Sequence, residues 1–326
     1  PSEAVSLQEA LADAWYRAGV YRKASEAYSE ARNMAAGDRL AEARLLLKHS
    51  WLEEKLGNYP EALKLTERAR ETVAGLQGLA VDRLIASTSA CYATLLQAQG
   101  RSDEAVEWAG RAAREAEDVD DPEQLGAAYF VLGWARGAQG KDGAEALMLQ
   151  AIEAFRRSGN RVRQAITLSN VGGVCYWEGR WDDAMSYYER GREESTKVGN
   201  VVDAATASMN IAEILTDRGE HAEAEATLQK TLPVWKSSEY RYFLGACHWM
   251  LGRVSLRANR IDEALTRFAD ARKLLTEVGA EYEVHDVDAR VAECRTLKGD
   301  AEGALALADE VLGRTEPGTA AEHEQV

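Results

Sequence analysis

Apolar and small residues return every three or four positions through almost all of this 326-residue chain, the spacing that lines one face of an α-helix. The alternating runs of a half-buried strand are hard to find. In GRWDDAMSYYERG, which begins at Gly179, residues Ala184, Tyr188 and Gly191 share one such stripe. A second amphipathic segment, AITLSNVGGVCYWE at 165–178, runs up to the same glycine, so the local unit reads as helix, tight turn, helix. The unit then repeats. Turns near Gly19, Gly57, Gly100, Gly140, Gly179, Gly219, Asn259 and Gly299 are separated by 38 to 43 residues, an interval too regular for chance. The copy at Gly140, GKDGAEALMLQA, is degenerate and lacks one residue in its turn.

Small residues stand where the paired helices must touch, and the pattern predicts contacts of Gly172 with Ala184, Ala212 with Ala224 and Gly252 with Ala264. Gly159-Asn160 and Gly199-Asn200 read as helix stops, each a left-handed residue followed by a capper for the next helix. An array of this kind cannot bury its apolar faces one unit at a time. The expectation is therefore one solenoid domain over 1–312, followed by a polar tail at 313–326, GRTEPGTAAEHEQV.

Composition narrows the function. Ala-rich helices with only 5 Pro fit an all-α fold, and the formal net charge of −15 opposes direct binding to nucleic acid or to an anionic membrane surface. No apolar run is long enough for a membrane span, and PSEAVSLQEA has no basic and apolar signal pattern. Cys91, Cys175, Cys247 and Cys294 lie far apart without a C-x-x-C pair, which suits reduced thiols and a cytoplasmic location. Because the chain begins at Pro1 rather than Met, it is expected to be a piece of a longer protein.

Candidate chemistry is sparse. HAEAE at 221–225 has no second His for zinc, and EDVDD at 117–121 lacks the alternating ligands and closing Glu of a calcium loop, so it reads as a solvated helix end with a cap. Cys247-His248 and His285-Asp286 are adjacent on helices and point apart. No phosphate-binding loop or nucleophile elbow is present, so neither catalytic residues nor a metal or cofactor are expected.

The repeated turn glycine, the aromatic two residues on, and the Ala and Tyr along the following helix resemble the tetratricopeptide repeat, most fully in the copies at Gly19, Gly179 and Asn259. The family repeat is about 34 residues, so a period near 40 implies helices lengthened by roughly one turn. In that respect the chain is similar to kinesin light chains and to MalT-like or cyclase-linked bacterial signalling proteins. The resemblance implies a right-handed α-solenoid of about eight repeats, with the first helix of each pair lining a concave groove.

By that implication, Asn170 and Asn210 occupy one shared inward position and could grip a peptide backbone. Phe130, Trp134, Tyr176, Trp177, Trp249, Arg253 and Arg257 surround them with the aromatic and Arg composition of interaction hot spots. Packing against the next helix is the competing role for each aromatic. The expected function is a non-catalytic module that binds a protein or peptide, in a bacterial signalling or transcription-regulating protein, with other domains of a parent chain as possible partners. The alternative is a sensing or autoinhibitory domain that binds a small molecule and controls a linked ATPase, cyclase or DNA-binding domain.

Overall fold

The computed structural model describes residues 3–17, 20–237 and 240–314, and among them it contains sixteen helices and no strand. They pair as α1 (Glu3–Arg17) with α2 (Tyr21–Met34), α3 (Arg39–Lys55) with α4 (Tyr59–Thr72), α5 (Leu79–Ala98) with α6 (Ser102–Asp118), and α7 (Pro122–Ala138) with α8 (Ala144–Ser158). Then follow α9 (Arg161–Trp177) with α10 (Trp181–Lys197), α11 (Val201–Asp217) with α12 (His221–Ser237), α13 (Arg241–Arg257) with α14 (Ile261–Glu277), and α15 (Glu281–Leu297) with α16 (Ala301–Arg314). The odd-numbered helices are called A helices below and the even-numbered ones B helices.

The described residues form two compact units, the first ending at Thr167 and the second starting at Leu168, a division that falls within α9. Each is an all-α stack of TPR-like hairpins. In the first, Leu45, Leu46, Leu52, Leu95 and Phe155 are fully buried; in the second, Leu168, Ile214, Leu228, Trp235, Phe268 and Leu275 are. Helices α9 to α15 run 17 residues each, which is where the repeat gains its extra length.

The turns have one construction. At Gly179 the chain takes φ 76°, open to glycine without a Cβ clash, and the Arg180 N–H donates to the Cys175 carbonyl at 2.8 Å, satisfying a helix-end acceptor. Equivalent bonds close at Asn58, Arg101, Lys141, Glu220, Arg260 and Asp300. Asn259 takes the left-handed place of the glycine at φ 59°, a conformation its side chain tolerates better than most. Gly19 lies outside the described residues, as do residues 315–326. Gly313 and Arg314, assigned by sequence to the tail, still belong to α16.

Two local features depart from a regular copy or from the sequence expectation. Helix α8 starts at Ala144, four residues after its turn glycine, where the other described B helices after a glycine turn start two residues after it. The missing residue removes the first helical turn, and Gly143 at φ 88° bridges the gap. The close approaches within hairpins also lie one helical turn away from the contacts expected between small residues. Gly172 faces the ring of Tyr188 rather than chiefly Ala184, and Gly252 faces Phe268 rather than chiefly Ala264. A glycine opposite a ring is a hole filled by a knob, and that interlock holds the helix pair at its packing distance.

Asn160 and Asn200 cap the A helices that follow them: their side-chain oxygens accept from Arg163 N–H at 3.0 Å and Asp203 N–H at 3.1 Å. Within the acidic run 117–121, Asp121 caps α7 by accepting from Glu123 and Gln124 N–H. No helix among the described residues is long and apolar enough to cross a membrane.

Candidate functional site: the A-helix faces

In the first unit, the A helices enclose a groove of about 710 Å³. On α3 its wall takes Leu40, Arg44, Leu47 and Trp51, positions four, three and four apart, which stack on one helical face. Arg83, Leu84 and Ser87 of α5, Glu123 of α7, Phe155 of α8 and Arg163 complete the lining that matters chemically. The Arg163 guanidinium lies 5.2 Å above the Trp51 ring, within cation–π range. Arg44 pairs with Glu9 at 2.7 Å, and Lys48 with Glu9 at 2.9 Å and Asp13 at 2.6 Å.

Phe130 and Trp134 lie on α7 with their rings 5.9 Å apart and tilted. Both are half-buried, Phe130 packs against the alanine-rich core between α5, α6 and α7, and neither lines the groove.

In the second unit, α9, α11 and α13 bring together most of the remaining candidates. The Tyr176 hydroxyl donates to Asp217 at 2.8 Å. Arg253 donates to Asp217 at 3.1 Å and to Glu213 at 2.8 Å, while its guanidinium lies 4.9 Å from the Trp249 ring. Arg253 is thus engaged on both sides, with its side chain only 16% exposed. Burial, followed by the charges of Glu213 and Asp217, pushes the Tyr176 hydroxyl above its ordinary pKa, so it stays a proton donor to Asp217. Trp249 is half-buried against the core around Phe268, and Arg257 is exposed.

Asn170 is exposed and Asn210 half-buried, but Cys91, Val131 and Met250, at the same place in their own repeats, are buried. That row therefore does not face solvent uniformly. Trp177 stands apart. It is 86% exposed, while the other seven tryptophans are buried or half-buried. Its ring meets Tyr176 edge-on at 5.5 Å, and Tyr176 stacks on Trp181 at 6.4 Å.

One cluster has the residue types of a hydrolase without the arrangement. Ser25 Oγ lies 3.0 Å from His49 Nε2, and Glu53 lies 3.4 Å from that same nitrogen. A relay needs the acid on the opposite nitrogen, Nδ1. The Cys91 thiol is buried and pushed up to about 11, chiefly by desolvation, with Thr66 and Ser50 as hydrogen-bond neighbours.

The groove of the first unit was not found from sequence. Its wall on α3 takes Leu40, Arg44, Leu47, Lys48 and Trp51, which lie 17, 13, 10, 9 and 6 residues before Gly57, whereas the candidates expected in this unit, Phe130 and Trp134, lie 10 and 6 before Gly140 on α7. The signal was present as a four-three-four spacing on α3.

Hairpins of lengthened helices, left-handed turns and glycine–ring interlocks define a helical-repeat protein. Residues 203–277 match the family model of the tetratricopeptide repeat, and the fold of the chain is similar to that of several solved proteins. One is a Signal Transduction ATPase with Numerous Domains protein with a tetratricopeptide repeat sensor from Pyrococcus horikoshii, with TM-score 0.64 and 14% identity over 94% of this chain. The match spans only 46% of that protein's length. The apo quorum sensor NprR from B. thuringiensis has TM-score 0.64 at 15% identity, covering 95% of this chain and 86% of the sensor. A Rap protein complexed with Competence and Sporulation Factor has TM-score 0.61 at 14% identity, covering 96% and 98%. No curated protein matches the chain.

Proposed function

We propose that the chain is a non-catalytic, cytoplasmic interaction module that takes a protein or peptide segment along its A-helix faces, as the regulatory part of a bacterial signalling or transcription-regulating protein. The observation that carries this reading is Trp177, an indole left 86% exposed against Tyr176, which itself stacks on Trp181. Tryptophan is the side chain most over-represented among residues that dominate interface energies. Asn170 is exposed about two turns before it on the same helix, and supplies amide donors and an acceptor for a peptide backbone. Structural neighbours described as a quorum sensor, a repeat sensor and a factor-bound Rap protein are consistent with a regulatory setting.

Affinity capture from the native lysate, with wild type beside Trp177→Ala and the Asn170→Ala, Asn210→Ala pair, tests the reading. Loss of a retained protein from variants with unchanged circular dichroism supports it, and equal retention by all three chains refutes the placement.

A second reading is favoured by the groove of the first unit, whose volume is in the range of small-molecule sites. The chain would then be a sensing arm whose ligand biases a linked ATPase, cyclase or DNA-binding domain. A ligand that changes the output of the parent protein while Trp177→Ala has no effect would favour it.

A further inference from the structure

We infer that the groove of the first unit receives an acidic peptide segment bearing aliphatic side chains. The inference rests on the peptide-binding reading above and adds the chemistry of the ligand. The chain carries a formal net charge of −15, yet this groove is lined by Arg44, Lys48, Arg83 and Arg163 against one acid, Glu123. Cations concentrated in one concavity against that background make a local field that attracts carboxylates.

Not all four cations are available. Arg44 and Lys48 are held by Glu9 and Asp13, and the acid Glu123 is occupied as an acceptor for the Asn160 amide at 3.0 Å. Arg83 and Arg163 have no carboxylate within ion-pair reach among the described residues, and Arg83 is exposed. Arg163 sits over the Trp51 ring, which covers one face of the guanidinium and leaves its in-plane N–H groups for a carboxylate fork. The same groove is lined by Leu47, Leu84 and Phe155, apolar surface that gains from aliphatic contact and offers nothing to a polar chain. Carboxylates for Arg83 and Arg163 together with an apolar side chain for Leu47, Leu84 and Phe155 describe an acidic, aliphatic peptide. A nucleotide fits less well, because the ring it would stack on is already covered by Arg163.

Random octapeptides displayed on phage, selected on the whole chain, test this without knowledge of the natural ligand. Wild type is expected to enrich Asp or Glu together with Leu, Ile or Val. Arg83→Gln, Arg163→Gln should lose the acidic preference, and the selected peptide, labelled and titrated by fluorescence anisotropy, should bind that variant on the order of tenfold more weakly or worse. Arg83→Glu, Arg163→Glu should turn the preference toward Lys and Arg. Circular dichroism melts of each variant confirm folding, since Arg83 is exposed and Arg163 half-buried.

Acidic enrichment that persists on Arg83→Gln, Arg163→Gln overturns the inference, as does enrichment of uncharged peptides on wild type. Absence of enrichment alongside Trp177-dependent capture overturns it while leaving the general reading intact. Acidic enrichment that survives Trp177→Ala supports the groove even where capture through Trp177 fails.

Discussion

At Gly172 a Cβ would come within 2.8 Å of the Tyr188 ring, whereas at its neighbour Gly173 the nearest atom is the Tyr188 hydroxyl at 3.7 Å. The two glycines therefore predict opposite outcomes. Gly172→Leu should destabilise by about 1–3 kcal/mol through overpacking, read as a lower urea midpoint. Gly173→Ala should be neutral or stabilise by about 0.5–1 kcal/mol, because ordinary contact is kept and helix entropy improves. An unchanged midpoint for Gly172→Leu would mean the hairpin register is wrong. Titration offers a second test at this scale. Desolvation, the largest cause, holds the pKa values of His49 and His248 below the usual 6.5, against the opposing pull of Glu53 and Asp270. The folded state then binds fewer protons than the unfolded chain, so stability is full above about pH 6.5 and falls as the pH drops through the depressed values. Melting temperature should decline from pH 7 to 5, and less steeply in His49→Gln, His248→Gln. Sequence showed where small residues had to be, but not that their partners were rings one turn further along, because spacing gives a face and not the depth of interlock.

Helix ends were the most legible elements. Asn200 follows a left-handed glycine and caps α11 through the Asp203 N–H, as the Gly-Asn pair implied. Asn200→Ala should cost about 0.5–2 kcal/mol, measured by chemical denaturation; a change within error would mean that water satisfies the helix end equally well. The shortened α8 was visible as a missing residue, while its repair by Gly143 at φ 88° depends on how the chain crosses from α7. The groove-forming face of α3 was harder to see. Arg44, Leu47 and Trp51 mix charge, aliphatic and aromatic character, so an apolar-versus-polar pattern does not register them as one surface.

Across the molecule, the two units use the A-helix face differently. The first leaves a groove with Arg83 and Arg163 unpaired by carboxylate among the described residues, and the second ties Arg253 to Glu213 and Asp217 and leaves Trp177 in solvent. Trp177→Ala should therefore shift stability by no more than about 0.5 kcal/mol, as for a surface substitution, while abolishing capture of the partner. A large loss of stability would assign Trp177 to packing. Compositional reasoning treated Arg253 and Trp177 as one aromatic and cationic site. The fold gives them different surroundings, because the Arg253 guanidinium lies between two carboxylates on α11 and is neutralised, whereas Trp177, the last residue of α9, touches Tyr176 edge-on and is otherwise open to solvent.

The sequence alone determined the repeat, its period, the all-α class, the turns and the caps, since each depends on residues close together in the chain. Only tertiary structure decided which candidates are open to a ligand. Exposure of Asn170 against burial of Cys91 at the same register, the neutralisation of Arg253, and the groove beneath Arg163 all arise from side chains about thirty-five to a hundred or more residues apart. A period of forty fixes which residues are equivalent, but not what each one meets across the helix pair.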